Sequence, residues 1–152
     1  MNRVGLRRSF VIGMLAMLAA GCVPMHQDLA LTALQDGRLN DAVQEVRLAL
    51  AQTPDDPQVK RLAASIYTNR AARFYYAGNM TAAQADLERA RSYDSDYPAT
   101  WDYLGLVAFS AHNWKDAIAD GERAAALAGR PPAAYVATAR TQLEGAQRTS
   151  NP

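Results

Sequence analysis

Side chains able to do chemistry are few and scattered. The chain of 152 residues has one cysteine, Cys22, and two histidines, His26 and His112. A lone cysteine forms no internal disulfide, which leaves a buried thiol, a redox thiol or a lipid attachment site. The histidines have no partner ligands at metal spacing. Asp94-Ser95-Asp96 is a short acidic run, yet no glycine turn and distal glutamate follow it, as a calcium loop needs. Asp55-Asp56 precedes Pro57 and reads as a helix cap rather than a carboxylate pair. No phosphate-cradling glycine loop and no G-x-S-x-G elbow occurs. These residues point away from an enzyme and imply no cofactor, no metal and no small-molecule substrate. What chemistry remains rests on Cys22 and on the segment that positions it.

That segment has three parts. Arg3, Arg7 and Arg8 are basic, Phe10 to Ala20 is apolar, and Ala19, Ala20 and Gly21 are small. This is the plan of a secretory signal peptide. The apolar run falls short of the roughly 20 residues that span a bilayer. Leu18-Ala19-Ala20-Gly21-Cys22 resembles the lipobox of bacterial lipoproteins, with Leu18 one place further from the cysteine than is commonest. The resemblance implies a diacylglyceryl group on the Cys22 sulfur, cleavage of residues 1–21, and acylation of the new amine. Two or more acyl chains hold a membrane stably where one is marginal. Val23 stands where the inner-membrane retention signal carries Asp. The resemblance therefore implies a periplasm-facing protein anchored in the outer membrane. Arg7-Arg8-Ser9-Phe10-Val11 also resembles a twin-arginine signal, but Leu6 and the strongly apolar run favour ordinary secretion. Losing Arg3, Arg7 and Arg8 leaves 13 basic against 15 acidic residues, so the formal charge moves from +1 to −2. No basic patch remains to bind nucleic acid.

Downstream the chain repeats itself. "AGNMTAAQADLERARSYDSD" aligns with "AHNWKDAIADGERAAALAGR", placing Ala83 and Ala117, and Ala90 and Ala124, 34 residues apart. "DGRLNDAVQEVRLALAQTP" repeats the internal spacing with Ala42 and Ala49. The period is that of the tetratricopeptide repeat, or TPR, two antiparallel helices per unit. The third copy resembles that family most closely, through Trp101, Leu104, Gly105, Phe109, Trp114, Ala117, Ala124 and Leu127. Gly121 stands where an aromatic is commoner, which predicts looser packing there. The second copy carries Tyr67, Ala71, Phe74, Gly78, Ala83, Leu87 and Ala90, with Arg70 in place of the usual Leu. The first rests on Leu29, Ala30, Gly37, Ala42, Ala49 and Pro54. The implied fold is all-α, a TPR-type right-handed helical solenoid over residues 22–148. Repeats are expected at about 23–56, 57–97 and 98–131, then a capping helix at 132–147 and a frayed tail at 149–152.

Ala42 and Ala83 are 41 residues apart, seven more than the period. Seven residues are two helical turns and keep the apolar face in phase. They predict a long first helix in the second repeat, Pro57 to Ala77, extending beyond its neighbours, where it either packs on the solenoid itself or offers an extra contact surface with Lys60 and Arg61.

In TPR solenoids the first helix of each pair lines a concave groove for a peptide or helix. The resemblance assigns to that groove Gln27, Leu31 and Leu34, then Thr68, Asn69, Ala72, Tyr75 and Tyr76, then Asp102, Tyr103, Leu106 and Phe109. Val136 and Arg140 of the capping helix complete it. The lining is apolar and aromatic, the composition that dominates binding energetics. The positions of the family's carboxylate clamp hold Gln27, Leu31, Asn69, Ala99 and Tyr103, and Asn69 alone matches. The implied partner is a protein offering an apolar segment or helix. Similar small TPR lipoproteins act in pilus and secretion-system assembly. Others dock cell-wall hydrolases or periplasmic proteases, or are subunits of outer-membrane assembly machines.

Overall fold

A computed structural model describes residues 23–149. Residues 1–22, which hold the expected signal segment and Cys22, and the last three residues lie outside the described residues. Seven helices follow one another among the described residues. They are α1 (Val23–Gln35), α2 (Leu39–Gln52), α3 (Pro57–Tyr76), α4 (Met80–Tyr93), α5 (Pro98–Ser110), α6 (Trp114–Ala128) and α7 (Ala134–Thr149). They pair as α1/α2, α3/α4 and α5/α6, with α7 laid on the last pair. The result is a TPR-like right-handed solenoid with α1, α3 and α5 as its inner row.

Local chemistry sets the boundaries. Three inner helices end the same way. Gly37 donates to the Leu34 carbonyl and Arg38 to Ala33; Gly78 to Tyr75 and Asn79 to Phe74; His112 to Phe109 and Asn113 to Ala108. This is the Schellman closure, which needs a left-handed residue at its first donor. Gly37 and Gly78 supply it freely at φ 71° and 77°, and His112 adopts it at φ 58°. The imidazole is therefore part of a turn, set edge-on to Trp114 with ring centroids 5.0 Å apart. The cap expected at Asp56 is formed: its Oδ1 accepts from the Gln58 N–H at 2.8 Å, with Pro57 in the first turn.

Packing follows the repeat phase. Ala42, Ala49, Ala83, Ala90, Ala117 and Ala124 are all fully buried. Arg70, in its leucine-like position, stays inside by pairing twice with Asp86, Nε to Oδ2 at 2.7 Å and Nη2 to Oδ1 at 2.9 Å. Asp86 is 2% exposed and takes a further bond from Arg89 at 3.1 Å. A buried carboxylate is tolerable only with such partners.

The long helix is present: α3 has 20 residues against 13 in α1 and in α5. It is no free arm, because Val59 and Ala63 in the added turns are buried in the core shared with Ala49 and Ala90. Lys60 reaches Asp55 at 3.1 Å.

The C-terminal end corrects the reading of Gly121. A Cβ there would lie 2.3 Å from Val136 Cγ2 and 2.7 Å from the Tyr135 hydroxyl. A Cβ on Gly105 would lie 2.2 Å from that same hydroxyl. Packing is tight, since the two glycines form a socket that admits Tyr135 and Val136 of α7. Gly121→Ala is expected to lower the unfolding free energy by about 1–3 kcal/mol, the usual cost of overpacking. Urea unfolding measures it, and an unchanged midpoint would refute the socket.

Candidate functional site

The inner row brings equivalent positions into lines. Leu31, Ala72 and Leu106 hold the same phase in α1, α3 and α5 and mark the floor of the concave face. Leu31 is 43% exposed, while Ala72 and Leu106 are half-buried. Asn69 is exposed beside this line and folds its amide back onto the Ser65 carbonyl at 2.9 Å. Gln27 and Leu34 are half-buried on α1.

At one end of the face three tyrosines meet edge to face. Ring centroids are 5.4 Å apart for Tyr75–Tyr76, 6.3 Å for Tyr75–Tyr103 and 6.4 Å for Tyr76–Tyr103. The Tyr75 hydroxyl pairs with Ser110 Oγ at 3.2 Å. Tyr76 projects from the cluster, 75% exposed. Burial, with the neighbouring Tyr76 hydroxyl, pushes Tyr103 up to about 12. The cluster is an aromatic platform with hydroxyls at its rim, the kind of surface that anchors an apolar ligand.

Other expected lining residues go elsewhere. Thr68 is 2% exposed because it bonds Thr100 of α5 at 2.8 Å inside the seam between inner helices. Phe109 leans to α7, with Trp114 and Tyr135 at 5.3 and 5.9 Å. Asp102 pairs through Oδ2 with Arg130, and its backbone oxygen accepts from Tyr135 at 3.4 Å. Val136 and Arg140 lie four residues apart, hence on one side of α7. That side faces α6: Val136 is buried at Gly121, and Arg140 pairs with Glu122. The register of α7 is set by the glycine socket, so Tyr135 rather than Val136 reaches the inner row. Ser110 was missed from sequence, although it follows Tyr76 by one 34-residue period.

A second hollow, of about 380 Å³, opens between α4 and α6 over Leu104, Val107 and Ala108 of α5 and Ala111 just beyond it. Glu88, Asp116 and Asp120 line it with Arg91. Burial, with Asp116 close by, raises Asp120 to about 6. Among the described residues no group of three or more His, Cys, Asp and Glu side chains could hold a metal ion, and no helix is long and apolar enough to cross a membrane.

Neither a protein-family model nor a curated protein matches the chain. Solved structures share its fold. The Sgt2 TPR domain from Aspergillus fumigatus is similar with a TM-score of 0.55 at 23% identity, over 87% of this chain and 85% of that one. The first TPR domain of Spaghetti (RPAP3), bound to the HSP90 peptide SRMEEVD, gives a TM-score of 0.51 at 17% identity, over 82% and 93%. The fold is TPR-like.

The raised Asp120 gives a pH signature. Its folded value of about 6 exceeds the ordinary 3.8, so its stabilising neutral form is fully present below about pH 4 and is lost as pH rises through 6. Asp120→Asn is expected to raise the melting temperature at pH 7 and to leave it unchanged at pH 4. Equal effects at both pH values would contradict this.

Proposed function

We propose that the protein is a lipid-anchored adaptor that holds an apolar segment or helix of another protein in its concave groove. The observation that carries this is the lining itself, an open apolar line of Leu31, Ala72 and Leu106 ending at the Tyr75–Tyr76–Tyr103 platform. The Spaghetti domain with its bound peptide supports a peptide-like ligand for this fold. That peptide is rich in acidic residues; the floor described here is apolar, and the nearby Arg70 is already committed to Asp86. An apolar ligand is therefore favoured over an acidic one.

The basic–apolar–small pattern ending at Cys22 supports acylation of that cysteine and export to the periplasmic face of the outer membrane. A role in pilus or secretion-system assembly rests on the resemblance to small TPR lipoproteins alone.

Tyr76 and Leu31 are exposed and Leu106 half-buried, so they can be cut back without opening the core. Cross-linking in cells with mass spectrometry identifies the partner. Against that partner, Tyr76→Ala with Leu106→Ala is expected to weaken binding about tenfold or more while helical circular dichroism is kept. Radiolabelled palmitate is expected on the wild type and not on Cys22→Ser. Unchanged affinity would move the contact off the groove, and equal labelling would remove the lipid anchor.

A further inference from the structure

Five large apolar side chains are exposed among the described residues, and they sort into two surfaces. Leu31 and Tyr76 belong to the groove. Met25, Leu29 and Leu48, at 51%, 45% and 47%, do not.

Repeat phase shows what these three positions do elsewhere in the solenoid. Met25 corresponds to Ile66 and Thr100, and Leu29 to Arg70 and Leu104. Ile66 and Thr100 are fully buried, Leu104 is 6% exposed, and Arg70 is half-buried on Asp86. Ile66, Thr100 and Leu104 face the preceding repeat, as the Thr68–Thr100 bond across that seam illustrates, and Arg70 lies between Asp86 of its own repeat and Asn40 of the preceding one. In the first repeat no helix among the described residues covers them. Leu48 corresponds to Arg89 and Arg123, which lie over Tyr67 and Trp101 at 6.0 and 5.4 Å. Those arginines give their repeats a charged edge. The first repeat has His26 in place of the ring and Leu48 in place of the arginine. The His26–Glu45 contact, 2.7 Å, brings the first turn of α1 level with the part of α2 that carries Leu48. The opposite end of the solenoid is covered by α7, whose Gln142 and Glu144 are exposed and polar, as a terminal cap should be.

We propose that the Met25–Leu29–Leu48 end face rests on a lipid leaflet and fixes the orientation of the solenoid at the membrane. The occupant follows from the place of Cys22 in the sequence. Cys22 immediately precedes the first residue of α1. Val23, the residue after Cys22, opens α1, and Met25 and Leu29 follow it by about 3 and about 9 Å along the helix axis, at 1.5 Å per residue. A short tether lays this face, rather than α7, on the bilayer. The groove then opens along the membrane surface instead of towards it. The proposal rests on the reading of Cys22 as acylated.

The test uses the full chain purified after processing and reconstituted in phosphatidylethanolamine–phosphatidylglycerol vesicles containing doxyl-labelled lipid. Leu29→Cys, Leu48→Cys and Gln142→Cys each add one thiol, at exposed positions, for an environment-sensitive fluorophore. Quenching at 29 and 48 is expected to exceed that at 142 by about threefold or more, as for side chains at the acyl boundary. Intact mass reads the acylation independently. An acylated protein with equal quenching at all three positions overturns this inference and leaves the anchor standing. Protein without lipid on Cys22 overturns both. Disulfide dimers through position 29 with an unquenched probe at 48 assign the face to a second copy, and also overturn it.

Discussion

Helices in this protein approach one another through alanine and glycine. Ala42, Ala83 and Ala117 are fully buried where the outer helices meet the inner ones, and the Ala49, Ala90 and Ala124 series repeats the arrangement one face over. Small residues let backbones come close, so larger neighbours such as Ile66 and Leu87 fill the remaining space. The phase of these contacts fixes the position of each inner helix, and hence which residues the concave face shows. The Gly105–Gly121 socket extends the same device to α7, where two missing side chains admit one tyrosine ring.

The buried polar side chains Thr68, Asp86 and Thr100 are all tied. Arg70, Asp86 and Arg89 form one network, and Thr68 and Thr100 another. Each joins elements that the alanine contacts have already brought together. The Arg70–Asp86 pair links α3 to α4, and the threonine pair links consecutive inner helices.

Much of this was legible in the sequence because a solenoid is built from local repeats. A 34-residue alanine phase names the pairs, Asp56-Pro57 marks a helix start, and a seven-residue insertion keeps phase by lengthening one helix by two turns. What was not legible depended on register beyond the repeat. Gly121 read as a loose spot, because sequence shows an absent side chain but not the tyrosine that enters its space. Continuing the inner-helix pattern into α7 assigns Val136 and Arg140 to the groove, whereas the glycine socket turns them towards α6. Thr68 looked open, yet the seam to α5 closes over it. Tyr75, Tyr76 and Tyr103 were each legible as candidates; that they touch one another follows only from how α3 and α5 lie side by side.

The concave face is the surface proposed to meet another protein. Photo-crosslinking amino acids placed singly at Tyr76 and Leu31 on that face, and at Ala119 and Gln84 on the outer helices, test it in living cells. The account predicts one discrete adduct from Tyr76 and Leu31 and none from Ala119 or Gln84. Adducts from the outer positions alone would contradict it.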